Sequence, residues 1–187
     1  RGSTKGDNFG FQIKAGDIDL DGTDELIIDA PGSDRPGTTR SSSGSVYVWR
    51  GRSTWPPLIG LATSQPDLLI YGADAEDQFG RASMGVADWD VDGTPDLLLS
   101  GPYADGPTNT ISDVGEMRSV ELGSNWPPTV DLRTTYSRIL YGVDTQDDTC
   151  NRFHLGDVNG DRVPDLTCSA SDAGGPDESR WHSGECS

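Results

Sequence analysis

The sequence predicts an all-β fold, because short apolar runs bounded by glycine, proline or serine take the place of helical periodicity. Its 187 residues include 24 glycines and 12 prolines. Residues 44–51, GSVYVWRG, alternate Val46 and Val48 with Tyr47 and Trp49. This period of two is typical of a strand with two different faces. At this length the chain is expected to form one domain with its own core.

Three acidic segments of nine residues organise the chain. They are DIDLDGTDE at 17–25, DWDVDGTPD at 88–96 and DVNGDRVPD at 157–165. Each has an oxygen-bearing side chain at positions 1, 3, 5 and 9, a pattern suited to Ca²⁺, which takes six to eight oxygen ligands. Position 7 is expected to add a backbone carbonyl. The predicted calcium ligands are Asp17, Asp19, Asp21, Thr23 and Glu25; Asp88, Asp90, Asp92, Thr94 and Asp96; and Asp157, Asn159, Asp161, Val163 and Asp165.

An EF-hand begins in the same way but requires a glutamate at position 12 and a helix on each side. Position 12 is occupied here by Ile28, Leu99 and Cys168, none of which ligates calcium. Each loop is followed by a short apolar run of the kind that forms a buried strand. The repeated unit is therefore a calcium loop that leads into a strand.

The whole unit repeats, and not the loop alone. Trp55 and Trp126, each followed by two prolines, are 71 residues apart, as are the first residues of the first two loops. The third loop begins 69 residues after the second. A single domain, 1–187, is therefore expected to contain repeats at 1–60, 61–131 and 132–187, the last of them incomplete.

These motifs resemble the FG-GAP repeats of integrin α-chain β-propellers. The resemblance rests on Phe-Gly at 9–10 and 79–80, on the three loops, and on DAP at 29–31 and SGP at 100–102. It implies a four-stranded antiparallel blade in each repeat, with calcium bound in the loop. It also implies an extracellular protein that acts in adhesion or ligand binding.

The third repeat departs from this pattern in two places. Thr149-Cys150 stands where Phe-Gly is expected, and Arg162 stands at position 6, where the other loops have Gly22 and Gly93. Position 6 is expected to need a left-handed backbone, which arginine adopts at some cost. A disulfide from Cys150 to Cys168 would replace the packing of the missing phenylalanine.

Three cysteines, Cys150, Cys168 and Cys186, have a spacing that matches no zinc motif. Millimolar calcium is an extracellular condition, so a disulfide is favoured. Three pairings are possible, of which Cys150 with Cys168 is preferred. Cys186 would then be free or bonded to another chain.

The formal charge of −17 argues against binding to nucleic acid or to an anionic membrane. No apolar run approaches the ~18 residues of a membrane span. His154 and His182 form no catalytic cluster, and the well-placed aspartates belong to the loops, so no enzyme is predicted. The segment containing Asp74, Glu76 and Asp77 is interpreted as a solvated turn, and the hydroxyl-rich loop 38–45 is interpreted as a flexible polar linker.

A propeller generally has four to eight blades, so three incomplete repeats leave strand edges open. Completion by another copy, in a ring or a fibre, is preferred to a fragment of a larger propeller or a compact three-repeat form. The start at Arg1 rather than Met indicates a processed chain or a fragment.

The predicted function is that of an extracellular, calcium-binding structural protein in adhesion or self-assembly, with a protein or glycan ligand. The alternatives are a calcium-dependent propeller lectin and a non-catalytic module of a secreted enzyme. Trp55 and Trp126 are expected to pack between blades, whereas Trp89 and Trp181 are the better candidates for exposed contacts.

Overall fold

A computed structural model describes residues 4–62 and 64–174, together with the backbone of 185–186. The described residues form strands and no helix, so the all-β prediction is confirmed, and none of them forms a helix able to cross a membrane. Trp181 and His182 lie outside the described residues, as does the side chain of Cys186. The strands are β1 (Ile13–Gly16), β2 (Glu25–Ala30), β3 (Ser45–Trp49), β4 (Leu68–Tyr71), β5 (Met84–Ala87), β6 (Asp96–Gly101), β7 (Glu116–Glu121), β8 (Thr129–Asp131), β9 (Arg138–Tyr141), β10 (Thr149–Gly156), β11 (Asp165–Ala170) and β12 (Glu185–Cys186).

Three sheets follow one another along the chain. Their strand orders are β1-β2-β3-β4-β8, β5-β6-β7-β9 and β10-β11-β12. All neighbouring strands are antiparallel except β4 and β8, which are parallel. The four antiparallel strands expected of a blade are therefore present in β1 to β4 and in the second sheet. The parallel strand β8 was not predicted. None of the sheets closes into a barrel.

Each of the first two sheets receives its fourth antiparallel strand from the following repeat. The strand β4 has the sequence LLIY and completes the first sheet, whereas β9 has the sequence RILY and completes the second. The divisions at 60/61 and 131/132 thus fall between the third and fourth strands of a sheet. Consecutive repeats are joined by backbone hydrogen bonds as well as by packing.

The main core lies between the first two sheets. Val46 and Val48 enter this core, whereas Tyr47 and Trp49 pack on the opposite face of the first sheet, as their alternation predicts. In the second sheet, Leu98 is buried in a separate cluster that includes Cys150 and Cys168. Its neighbours in β6 enter the main core, so both faces of the second sheet are covered.

The strands β1, β5 and β10 lie beside one another where the three sheets converge. Gly85 in β5 allows the closest approach, because a Cβ atom there would lie 2.7 Å from Leu155 Cδ1 and 2.9 Å from Phe153 Cε2. This side-by-side placement of first strands is the arrangement of propeller blades, with an open rather than a closed circuit.

The interpretation of residues 38–45 as a polar linker is wrong. Arg40 is 6% exposed and donates hydrogen bonds from Nη1 to the carbonyls of Gly72 (2.9 Å) and Ala73 (2.6 Å). Ser43 is fully buried, and its carbonyl accepts a hydrogen bond from the N–H of Phe79. This segment therefore joins the first repeat to the second.

Candidate metal-binding loops

The three acidic loops have the same backbone path, with two residues in the left-handed region. These residues occupy positions 4 and 6, and the sequence analysis identified only the second of them. Position 4 is Leu20 (φ 61°), Val91 (φ 62°) or Gly160 (φ 84°), and position 6 is Gly22 (φ 88°), Gly93 (φ 94°) or Arg162 (φ 71°). The third loop thus has its glycine at position 4 and its bulky side chain at position 6, the reverse of the other two.

The aspartate at position 1 holds each turn in shape. In the first loop the two oxygens of Asp17 accept hydrogen bonds from the N–H groups of Asp21 (3.2 Å) and Gly22 (3.0 Å). Asp88 and Asp157 accept the corresponding bonds in the other loops. An acidic side chain that binds two N–H groups of its own turn is well oriented in the folded loop.

In the first two loops the carboxylates at positions 1, 3 and 5 converge. The sets are Asp17, Asp19 and Asp21, and Asp88, Asp90 and Asp92, and in each set one oxygen per residue lies within 4.8 Å of the others. Three carboxylates at this separation repel one another unless a cation lies between them. Their hard oxygen atoms are ligands that Ca²⁺ prefers, so these two clusters fit a calcium ion.

The carboxylates at position 9 accept hydrogen bonds from backbone N–H groups. Glu25 is fully buried, and its oxygens accept hydrogen bonds from the N–H groups of Ile18 (2.8 Å) and Gly51 (3.1 Å). Asp96 and Asp165 accept the N–H groups of Trp89 (3.3 Å) and Val158 (2.8 Å). Burial raises the pKa of both Glu25 and Asp96.

At position 7 the N–H groups of Thr23, Thr94 and Val163 donate to the carboxylate at position 5, at 2.7 to 2.8 Å. These bonds fix the turn. The carbonyl ligation assigned to position 7, and the ligand role of position 9, remain predictions.

An arginine accompanies each of the first two clusters, and sequence reasoning did not find it. Arg50 forms an ion pair with Asp19, and its guanidinium lies 4.0 Å from the ring centroid of Trp126. Arg138, the first residue of β9, forms an ion pair of 3.0 Å with Asp90. Because each arginine comes from outside its loop, the carboxylate at position 3 is tied to a neighbouring part of the fold.

The third loop has a different set of side chains. Asn159 replaces the aspartate at position 3, and its Nδ2 donates to Asp161 Oδ2 (3.1 Å) and to Asp165 Oδ1 (3.3 Å). Asp157, Asn159 and Asp161 are all exposed. An amide donor therefore takes the place of one negative charge, so this loop is a weaker match to a divalent cation than the other two.

A tetrapeptide upstream of each loop has the same local structure in all three repeats. It is DNFG at 7–10, DQFG at 77–80 and DDTC at 147–150, and its aspartate accepts a hydrogen bond from the N–H group three residues before it. Its last residue is left-handed in all three copies, with φ of 84° for Gly10, 92° for Gly80 and 57° for Cys150. Cys150 thus takes the backbone conformation of the glycine it replaces.

The interpretation of Asp77 as part of a solvated turn is wrong, because it is 2% exposed. Burial, and to a lesser extent the nearby Glu116 carboxyl, raise the pKa of Asp77 to about 8, although Arg118 and Arg40 oppose the shift. Burial also raises the pKa of Glu116, although Arg118 lies 2.7 Å from its Oε2. Glu76, in the same turn, is exposed as expected.

The predicted disulfide between Cys150 and Cys168 is present, with Cα atoms 4.8 Å apart. Of the tryptophans, Trp126 packs against the main core as predicted, whereas Trp55 is 38% exposed, so its predicted packing role is wrong. Trp89 is half-buried against the cluster around the disulfide, so the expected exposure of its side chain is also wrong.

Comparison with known proteins agrees with the repeat pattern. The family described as FG-GAP repeat matches residues 9–49, which include the first loop and the strands β1 to β3. The chain carries an FG-GAP repeat. The second sheet has the same loop, the same Phe-Gly pair and the same order of its first three strands as the matched segment, so the pattern recurs in the second repeat.

Similar proteins include enzymes and integrins. Phosphatidylinositol-glycan-specific phospholipase D of Bos taurus is 28% identical over 172 residues, covering 89% of this chain and 19% of the relative. Integrin alpha-5 of Xenopus laevis is 28% identical over 171 residues, with 87% and 14% covered. Integrin alpha-IIb of Homo sapiens is 29% identical over 110 residues, with 58% and 10% covered. The chain thus spans about a fifth or less of the length of these relatives.

Proposed function

We propose that this chain is an extracellular calcium-binding repeat module that acts in adhesion or self-assembly and does not itself catalyse a reaction. The observation that carries the proposal is the convergence of three carboxylates in each of the first two loops. The similarity to integrin α chains supports an adhesive role. We further propose that the third loop binds calcium more weakly.

The residues that would hold the ion are those at positions 1, 3 and 5 of each loop, together with the predicted contributions of positions 7 and 9. A bound calcium ion supplies positive charge that offsets the repulsion between clustered carboxylates. Asp17 and Asp88 hold the turns through two N–H groups each, so the carboxylates are oriented before an ion arrives.

Arg50 and Arg138 would connect each ordered loop to strands outside it. Arg50 links Asp19 to Trp126, shortly before β8, and Arg138 links Asp90 to the start of β9. Ordering the first loop would therefore steady β8, and ordering the second would steady β9. Both strands lie at the outer margin of a sheet, where a partner molecule would meet the module.

The test is thermal unfolding of the chain in millimolar calcium and in EDTA, with two matched variants. Asp21→Asn removes a carboxylate from the cluster, whereas Asp24→Asn removes an exposed carboxylate at position 8 of the same loop. Calcium at a hundredfold excess over Kd is expected to stabilise the wild type by about 2.7 kcal/mol per site.

Asp21→Asn should lose the calcium-dependent stabilisation contributed by the first loop, while Asp24→Asn should retain it. In EDTA the unfolding temperatures of both variants should be close to that of the wild type. Isothermal titration calorimetry would give the number of sites. If the thermal unfolding of the wild type does not depend on calcium, or if both variants lose the same calcium-dependent stabilisation, the calcium-binding function is overturned.

A second candidate is a non-catalytic module of a larger enzyme. It is favoured by the phospholipase D relatives, whose match extends over 89% of this chain in the bovine protein. Covalent attachment of the chain to a catalytic domain in the intact protein would distinguish the two. In that case removal of the module should lower binding to the substrate surface rather than the rate of the chemical step.

A further inference from the structure

A buried carboxyl of the first repeat lies against the tetrapeptide DQFG of the second. Asp29 is the first residue of the DAP motif in β2, and it is fully buried. A Cβ atom placed on Gly80 would lie 3.0 Å from Asp29 Cβ and 3.8 Å from Asp29 Oδ2. The carboxyl of Asp29 therefore faces the last residue of the tetrapeptide, across the junction between the first two repeats.

The two carboxyl oxygens of Asp29 have different surroundings. Oδ1 accepts a hydrogen bond from the N–H of Gln12 (2.6 Å), within the first repeat. Oδ2 is buried and accepts no hydrogen bond from the part of the chain that the structure describes. An ionised carboxylate with one buried oxygen unpaired is costly, whereas the neutral acid can use that oxygen as an O–H donor. The surroundings of Asp29 therefore suit a carboxylic acid that accepts one hydrogen bond and donates another.

The second repeat has a hydroxyl group at the same place. Ser100, the first residue of the SGP motif, is the counterpart of Asp29, and its Oγ donates a buried hydrogen bond to the carbonyl of Cys150 (2.6 Å). Cys150 ends the third tetrapeptide as Gly80 ends the second. The junction between the second and third repeats thus contains an O–H donor, in a side chain that keeps its proton throughout the pH range in which proteins fold.

The groups that surround Asp29 do not form an ion pair with it. On its own sheet the neighbouring Gln12 and Val46 are uncharged. In the second repeat, the guanidinium of Arg81 donates to Gln78 Oε1 (2.6 Å). None of the ion pairs found within residues 4–62 and 64–174 includes Asp29. The pKa of Asp29 is raised by burial, and backbone N–H groups oppose that shift only in part.

We propose that Asp29 is a proton-dependent latch between the first two repeats. In its neutral form Oδ2–H donates to the carbonyl of Gly80, as Ser100 Oγ donates to the carbonyl of Cys150. Loss of the proton removes this donor and leaves a buried negative charge beside a carbonyl oxygen. The junction is therefore closed in acid and opens more readily as the pH rises. This latch does not depend on calcium occupying the loops.

The folded chain holds this proton more tightly than the unfolded chain does, because the pKa of Asp29 is raised from 3.8 to about 7. Stabilisation by the latch is complete below about pH 4 and is lost as the pH rises through 7. Each pH unit in this range should change the equilibrium constant for opening the junction by up to about tenfold.

The first experiment is a ¹³C NMR titration of the Asp29 carboxyl carbon in the full chain, in EDTA. The carbon is assigned by the loss of its signal in Asp29→Asn. The midpoint of the wild-type titration should lie near pH 7. A carboxyl that is already ionised at pH 5 would overturn the proposal.

The second experiment follows hydrogen exchange of the Gly80 N–H, which donates to the carbonyl of Ser100 (2.9 Å) and reports opening of the junction. All chains carry Asp77→Asn, so that the buried carboxyl within the tetrapeptide does not titrate. Asp29→Asn keeps an N–H donor at every pH. From pH 5 to pH 8, the protection of Gly80 in the parent chain should fall by about ten- to a hundredfold relative to Asp29→Asn. Asp29→Leu, which has no donor, should have low protection at both pH values.

The Thr149 N–H, which donates to the carbonyl of Val114 (3.0 Å) at the second junction, is the control. Its protection should not depend on the residue at position 29. Equal protection of Gly80 in the parent chain and in Asp29→Asn at pH 8 would overturn the proposal, as would an equal change at Thr149. If Asp29→Asn fails to fold, the carboxyl titration of the wild type, assigned through its coupling to the Asp29 N–H, decides. Because every measurement is made in EDTA, failure of the proposed calcium function would not alter these results.

Discussion

In the second repeat the segment that precedes the metal-binding loop is held by the packing of an aromatic side chain, whereas in the third repeat it is held by a disulfide bond. Phe79 is 1% exposed and lies in the core between the first two sheets. Its counterpart, Thr149, is only half-buried, and the adjacent Cys150 is bonded to Cys168 within the cluster against the second sheet. The same backbone path can thus be held by packing or by a crosslink.

The acidic loops of the second and third repeats also differ. The second loop has three convergent carboxylates, an arginine and a glycine at position 6. The third has an asparagine at position 3, exposed carboxylates and Arg162 in the left-handed region. The disulfide therefore reinforces the repeat whose loop is the poorer match to a metal ion.

Among substitutions compared at one pH, removing the aromatic ring should have the largest effect. Phe79→Ala is expected to lower the free energy of unfolding by about 3–5 kcal/mol, because it leaves a cavity between two sheets. Thr149→Ala, at the same place in the third repeat, should cost less than about 1 kcal/mol. Denaturant titration of both variants measures the difference, and similar losses would contradict the comparison.

Removing the crosslink should rank second. The double substitution of Cys150 and Cys168 by alanine is expected to lower the free energy of unfolding by about 3 kcal/mol, the value for a loop of this length. A reductant should destabilise the wild type similarly and leave the double variant unchanged. Hydrogen exchange should then show faster opening in β10 and β11, while equal opening in β5 and β6 would contradict a local role.

The buried carboxyl of the second repeat should make stability depend on pH. The pKa of Asp77 is raised from 3.8 to about 8, so the folded state holds its proton more tightly than the unfolded state does. Stability from this group is fully present below pH 4 and is lost as pH rises through 8. The loss is up to about 1.4 kcal/mol for each pH unit in that range.

Asp77→Asn should flatten the profile between pH 5 and 8, since the amide has no proton to lose there and still accepts the N–H of Asp74. Glu76→Gln, which changes an exposed carboxyl in the same turn, is the control. Chemical denaturation across this range gives the slope. A slope unchanged in Asp77→Asn would assign the pH dependence to another group.

Exchanging the residues at position 6 should have the smallest effect. Arg162→Gly is expected to stabilise the chain by about 1 kcal/mol, because glycine adopts a φ of 71° without steric cost. Gly93→Arg should destabilise it by a similar amount. Open space surrounds the added Cβ, so the cost comes from the left-handed backbone conformation alone. Thermal unfolding of the pair in EDTA checks the prediction, and effects of the same sign would refute it.

Local sequence determined the loops and the strands that follow them, and it favoured Cys150 with Cys168 among three possible pairings. These features depend on residues close together in the chain, where alternating apolar side chains and alternating acids leave a direct pattern. The left-handed backbone at Arg162 was predicted for the same reason, because the glycines of the other two loops mark that position.

Tertiary structure alone decided which distant residues meet. Arg50 and Arg138 lie 31 and 48 residues from the carboxylates they bind, and neither spacing belongs to a recognisable motif. The burial of Asp77 and Arg40 likewise depends on a neighbouring repeat closing over them. The parallel strand β8 comes from the end of the second repeat and joins the first sheet, so its place depends on the packing of whole sheets, which no local pattern records.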